Sequence, residues 1–228
     1  MLLPGLDGTG KLFAEFLKAL DLSVRAIVVP YPQDIPLDYD ELEVLVRAAL
    51  PSDRAFVLLG ESFSGPIAIR IAARPPAGLV GLILSVTFAS NPFPRLAWAR
   101  PLAAYLPLKS FPRWVRAPLM WGSASPKRAP RQSERAMAGV SAAVVRHRIA
   151  ALLAADENST LGSILLPTLV LSARRDRVIS KAATMGILRG IPHARRIEID
   201  GPHLLLQTCA GESAAAVLSF MRERIKTI

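Results

Sequence analysis

Ala55-Phe56-Val57-Leu58-Leu59-Gly60-Glu61-Ser62-Phe63-Ser64-Gly65 is the stretch that decides the fold. From Ala55 to Leu59 the residues are apolar without alternation, the pattern of a strand covered on both faces. From about Ser64 to Ala73 the chain reads as helix. A strand that passes straight into a helix needs a very tight turn, and small neighbours let the two segments pass. The residue at the tip takes a strained conformation, which lifts the Ser62 hydroxyl above the sheet, near the helix N-terminus. Taken alone, the hexapeptide Gly60–Gly65 also fits a plain strand-to-helix turn capped by Ser62 or Ser64. Ser64 is expected to be no more than a small residue of the turn.

Outward from this stretch, apolar runs alternate with helix-length segments. Strands are expected at Met1 to Leu3, Val24 to Val29, Leu79 to Val86, Thr168 to Ser172 and Arg195 to Ile199. Helices are expected at Leu12 to Leu20, Asp38 to Leu50, Arg131 to Ala154, Ala182 to Arg189 and Glu212 to Ile225. Such alternation predicts an α/β fold, a mostly parallel sheet with helices on both faces. Ligands of open sheets sit at the carboxyl ends of the strands, so chemistry is sought just after each run.

A serine nucleophile needs a base, and the base an orienting acid. Of the three histidines, His147 lies in an Arg-rich helical stretch and His193 in a turn before the last strand. His203 follows the last strand directly, in Asp200-Gly201-Pro202-His203, a loop free to aim inward. Asp176, just beyond the run ending at Ser172, is the only carboxylate between Glu157 and Glu198. Asp200 is a rival acid, but its place at a strand terminus suits setting the turn. The segment after the fourth run offers no acid before Glu134. Ser62, Asp176 and His203 thus each follow a different strand.

A tetrahedral intermediate needs two backbone donors. Phe63, after the nucleophile, is one. The loop Pro4-Gly5-Leu6-Asp7-Gly8-Thr9-Gly10 after the first strand offers the other through the Leu6 N–H. The same loop is nearly a phosphate-binding loop, since Gly5, Gly10 and Lys11 match three of its four positions. Leu12 replaces the hydroxyl residue that holds magnesium, and Asp7 would set a negative charge inside the cradle, so nucleotide binding is set aside.

The turn at Ser62, the order Ser62–Asp176–His203 and the first loop together resemble the α/β-hydrolase superfamily. Within it, the chain looks most like small bacterial carboxylesterases of the pimeloyl-carrier-protein methyl ester esterase group. The likeness implies a Ser-His-Asp triad, an oxyanion hole at Leu6 and Phe63, and no metal or organic cofactor. Two departures stand out. Pro4-Gly5 replaces the His-Gly common in the first loop, and Met1 begins in what looks like the family's third strand, without the usual two-strand hairpin. Either the protein dispenses with the hairpin or its true start lies upstream. The family inserts its cap where residues 91–130 fall, leaving 1–90 and 131–228 as core. Trp98, Leu102, Leu106 and Trp114 would line the acyl pocket or pack the cap onto the core.

Composition marks out that region independently. The 228-residue chain has a net charge of +10, and Asn91 to Ala150 holds eleven basic residues against one acid, Glu134, and so carries the whole excess. An acidic carrier protein or anionic ester would suit such a surface; equally, it is a solvated face of a chain in which 22 of the 28 basic residues are arginine. Charge alone does not make a nucleic-acid binder, and no recognition motif is present. One cysteine, Cys209, precludes an intrachain disulfide, and no apolar stretch is long enough to span a bilayer. With no signal-peptide pattern at Met1, a cytoplasmic location is expected. The expected function is hydrolysis of short to medium acyl esters through an acyl-serine. Acyl transfer, thioester or carbon–carbon cleavage on the same residues, and a non-catalytic receptor, are the alternatives.

Overall fold

The computed structural model describes residues 1–20, 24–95, 98, 120 and 129–224. Among the described residues five strands form one sheet: β1 (Leu2–Leu3), β2 (Phe56–Glu61), β3 (Leu79–Ser85), β4 (Thr168–Ala173) and β5 (Arg195–Ile199). They lie in chain order and every ladder is parallel. Parallel neighbours require crossover connections, and the helices supply them.

The period of two in strand side chains divides the core. Leu2, Val57, Leu59, Ile83, Leu169 and Leu171 face one side, with Phe13, Phe16, Val217 and Phe220 packed on them. Leu3, Leu58, Leu82, Leu84 and Val170 face the other, under Leu42, Val46, Ile67 and Ile71. The first group of helices is α1 (Ala14–Ala19) and, at the chain's end, Ala210–Arg224; the second is α2 (Tyr39–Ala49) and α3 (Gly65–Ala73). Helix α2 opens on a capping box: the Asp38 carboxylate accepts from the Asp40 and Glu41 N–H groups, and Glu41 accepts from the Asp38 N–H. Both strand faces being buried, a one-residue slip in register would gain nothing by exchanging faces. Register is instead held by the shapes packed on each side.

Three expectations are corrected. Val24–Val29 is not a full strand: only Val28 bridges Leu2, through Leu2 N–H to Ile27 O at 2.8 Å and Val29 N–H to Leu2 O at 3.0 Å. With β1 only two residues long before Pro4, little edge remains to pair with. The single helix expected over Arg131–Ala154 is two, α4 (Ala129–Ala138) and α5 (Ala142–Ala154), bent by 104° where Ser141 caps the second through the Val144 N–H. β5 is not covered on both faces: Arg195, Arg196 and Glu198 are exposed, as suits an edge strand that must resist further pairing. The remaining helices are α6 (Lys181–Gly190), the short α7 (Leu205–Thr208) and α8 (Ala210–Arg224).

The chain reverses direction across the sheet between β1 and β2. After β1 it passes outward to Val28, then returns through α2 to β2 on the inner side. The loops after β1 and β2 therefore diverge, and the gap between them is where such sheets bind ligands. Most of the expected cap lies outside the described residues, including Leu102, Leu106 and Trp114 and the cations Arg113, Arg116 and Lys127. Trp98 is described and is exposed.

Candidate active site

The site is assembled from the carboxyl ends of β1, β2, β4 and β5. At the tip of the β2–α3 turn Ser62 has φ 49°, a left-handed conformation a non-glycine residue adopts only when its surroundings impose it. Those surroundings are tight. A Cβ at Gly60 would lie 2.7 Å from the Ala68 Cβ, and one at Gly65 would strike Thr87 Oγ1 at 1.9 Å. The Thr87 hydroxyl donates to the Ser62 carbonyl, tying the turn to the end of β3.

The three residues singled out from three separate loops come together. Ser62 Oγ lies 3.0 Å from His203 Nε2, and His203 Nδ1 lies 2.9 Å from Asp176 Oδ2. The side chains of His203 and Asp176 are 2% and 6% exposed, so this contact is shielded from water. The other Asp176 oxygen, Oδ1, accepts the N–H groups of Val178 (2.7 Å) and Ile179 (2.9 Å), which fix the carboxylate plane. Asp200 is turned away toward Arg175, 3.4 Å off and more than half exposed. His147 and His193 are both exposed.

The loop after β1 is pinned almost peptide by peptide. The Pro4 carbonyl accepts from the Ser64 hydroxyl. The Gly5 carbonyl accepts from the Gly8 N–H at 3.0 Å, and the Gly8 carbonyl from the Tyr31 N–H at 2.7 Å. Asp7, buried, folds back onto the Thr9 N–H at 2.9 Å and does not line a phosphate cradle. With the Gly5 carbonyl held on one side of its peptide, the Leu6 N–H of that peptide points to the opposite side and has no partner among the described residues. The Phe63 N–H opens the short helical turn Ser62–Ser64, where no earlier carbonyl of the turn can reach it. The carbonyl of Phe63 is held by the Tyr39 hydroxyl at 3.0 Å and its ring stacks on Tyr39, 4.9 Å between centroids.

Ser64 does more than the turn requires. It is fully buried, and because its own proton goes to Pro4 O, the Tyr31 hydroxyl 2.6 Å away must donate to it. Burial pushes the Tyr31 phenol up, so it keeps that proton. A second buried group, Glu61, went unread in the sequence as the variable residue of the turn. Burial pushes its carboxyl up to about 7, against the Gln207 amide (2.8 Å), His203 and the Gly5 N–H, which favour the anion, while Asp7 adds to the rise. Nothing local in the sequence marks Gln207 or Thr87. Glu61 carried one signal: a carboxylate inside an otherwise apolar strand end.

Among the described residues no group of three or more His, Cys, Asp or Glu is placed to hold a metal, and no single helix is long and apolar enough to cross a membrane.

Comparison with known proteins gives the fold a name. No family model matches the chain. It is 27% identical, over 99% of its length, to part of the polyketide synthase ThaQ of Burkholderia thailandensis, and spans only 12% of that protein. It is also 27% identical, over 96% of its length and 91% of the relative's, to RutD of Rhizobium rhizogenes, a protein described as a carbamate hydrolase. Among solved structures, a hydrolase from Pseudomonas aeruginosa superposes with a TM-score of 0.80 at 21% identity, covering 96% of this chain and 88% of that one. The enol-lactonase from Burkholderia xenovorans superposes with a TM-score of 0.78 at 20% identity, covering 97% and 90%. A parallel sheet with helices on both faces, matched at this level over nearly the whole chain, is the α/β-hydrolase fold.

Proposed function

We propose that this protein hydrolyses carboxylic esters, lactones included, through an acyl-serine intermediate. The observation that carries the proposal is the line Ser62 Oγ–His203 Nε2 and His203 Nδ1–Asp176 Oδ2, with the loop that holds the unengaged Leu6 N–H close by: a Cβ at Gly5 would lie 3.9 Å from the Ser62 Cβ. Neutral His203 takes the Ser62 proton as Oγ attacks the ester carbon. The carbonyl oxygen becomes an oxyanion held by the Leu6 and Phe63 N–H groups. Collapse expels the alcohol, which leaves with the proton from His203. Water, deprotonated by the same imidazole, then attacks the acyl-serine, and the acid departs as Ser62 regains its proton. Asp176 keeps the imidazole in the tautomer with a free Nε2 and offsets the charge it gains. The enol-lactonase and hydrolase among the structural neighbours favour acyl chemistry of this kind.

Ser62→Ala tests it. Turnover of a short nitrophenyl ester should fall by about 10⁶-fold with the fold intact, and a fluorophosphonate should label wild type but not the variant. Near-normal turnover in Ser62→Ala would refute the proposal. An acidic acyl carrier remains a proposed partner on the strength of the basic Asn91–Ala150 segment alone. Salt should then depress kcat/KM for an anionic or carrier-bound ester and not for a neutral one; equal salt dependence would remove the carrier.

A further inference from the structure

Arg148 lies in the basic Asn91–Ala150 segment, yet it is 2% exposed and among the largest fully buried side chains described. It projects from α5, on the same face as the buried Val144 and Val145. Its Nη1 donates to the carbonyls of Leu6 and Asp7, both at 2.9 Å, and Nη2 donates to the Pro32 carbonyl at 2.8 Å. The guanidinium also lies over the Tyr31 ring, 5.6 Å from its centroid. Gly8 makes room for it: φ is +67°, and a Cβ there would fall 2.5 Å from Nη1. Burial lowers the guanidinium's pKa, and Tyr31 and Asp7 work against that.

A buried cation of this kind is costly unless its donors are used, and here two of its three bonds go to the loop after β1 and the third to Pro32. Gly5 lies against Ser62, where a Cβ would fall 3.9 Å from the Ser62 Cβ, and the Leu6 and Asp7 carbonyls belong to the two peptides that follow the one carrying the Leu6 N–H. Holding both, with Gly8 N–H on the Gly5 carbonyl, leaves that peptide no freedom to rotate. We infer that Arg148 is the positioning residue of the oxyanion hole: it fixes the Leu6 N–H toward Ser62, filling the role left open by Pro4-Gly5 in the first loop. The assignment rests on the ester hydrolysis proposed for this site. It predicts a loss confined to the transition state, because a misaimed Leu6 N–H affects the oxyanion and not the bound ester.

The test compares wild type, Arg148→Lys and Arg148→Met on a nitrophenyl ester, with competent sites counted by complete fluorophosphonate labelling. Lysine keeps the charge as a single point and cannot span three carbonyls. Turnover per competent site should fall about tenfold in Arg148→Lys and about 10²-fold in Arg148→Met, with KM little changed. Affinity for a trifluoromethyl ketone, whose serine adduct places an oxyanion in the hole, should fall in the same ratio as kcat/KM. Wild-type turnover per site in Arg148→Met overturns the inference, and so does lost turnover with unchanged ketone affinity. Should Arg148→Met fail to fold, Arg148→Lys carries the test by itself, since it keeps the charge but not the three-carbonyl reach. The same paired losses are expected there, and wild-type values would overturn the inference. If Ser62→Ala were to keep wild-type turnover, the ester-hydrolase proposal would fail. If Ser62→Ala is dead and Arg148→Met unimpaired, only the role of Arg148 fails.

Discussion

Replacing Asp176 by Asn should nearly abolish turnover, although the substitution changes neither shape nor burial. Oδ1 of Asp176 accepts two backbone N–H groups, from Val178 and Ile179, while Oδ2 faces His203 Nδ1 at 2.9 Å. An asparagine must choose which end carries its oxygen. Turning the NH2 toward Val178 and Ile179 would leave two donors without an acceptor, at about 1–3 kcal/mol each. The amide oxygen therefore stays at the Oδ1 position, and the NH2 faces His203. Nδ1 must then accept, the ring proton moves to Nε2, and Nε2 donates toward Ser62 Oγ across 3.0 Å when it should accept. A wrong tautomer of this kind lowers turnover by about 10⁴, or about 5 kcal/mol of barrier. The control is Asp200→Asn, which removes only a half-exposed pair with Arg175 at 3.4 Å. A surface pair contributes about 0–1 kcal/mol, so its effect should stay within about fivefold. Both variants are assayed for ester turnover alongside wild type, with thermal melts to show that each is folded. A folded Asp176→Asn retaining a tenth of wild-type activity, or a larger loss in Asp200→Asn, would refute the assignment of the acid.

Three further outcomes follow from the same geometry. Leu6→Ala should retain most activity, whereas Leu6→Pro deletes the N–H and should cost about 10²–10³ in turnover; equal damage in folded protein would assign the work to the side chain. Ser64→Ala leaves the Tyr31 hydroxyl and the Pro4 carbonyl buried without their shared partner, so stability in urea should fall by about 1–3 kcal/mol, and an unchanged midpoint would show that water replaces the hydroxyl. The Glu61 carboxyl is raised by burial from 4.5 to about 7, so the folded state binds more protons than the unfolded one between those values. Wild-type stability should therefore decline as pH rises from 4.5 to about 7 and level off above, by about 3 kcal/mol in all relative to Glu61→Gln. Melts of both proteins that run parallel across this range would show that folding does not raise the Glu61 carboxyl.

Much of the molecule was legible in residue order because its signals are local. A run of five apolar residues ending in Gly-Glu-Ser needs no knowledge of its neighbours to be a buried strand entering a tight turn. Asp176 and His203 were legible because each follows a strand directly, and a parallel sheet brings the carboxyl ends of its strands to one edge. The break between α4 and α5 has a local signal too, Gly139 and the cap residue Ser141, but it lies inside a stretch whose composition is helical throughout.

What belonged to the tertiary structure alone is how those ends are braced. Arg148 looks like any other arginine of a basic helix. Only its spacing from Val144 places it on the buried face, and only packing brings it against Leu6 and Asp7, more than 140 residues away in the chain. Ser64, Tyr31, Thr87, Glu61 and Gln207 likewise form their contacts across separate elements. A hydrogen bond depends on distances of a few tenths of an ångström, and composition and period carry no such information. The same residues in a solvated helix or an open turn would read identically. Hydrophobic period determines which elements form and where their ends meet. Which polar groups at those ends are buried, and must then find one another, is decided only when the layers close and water is excluded.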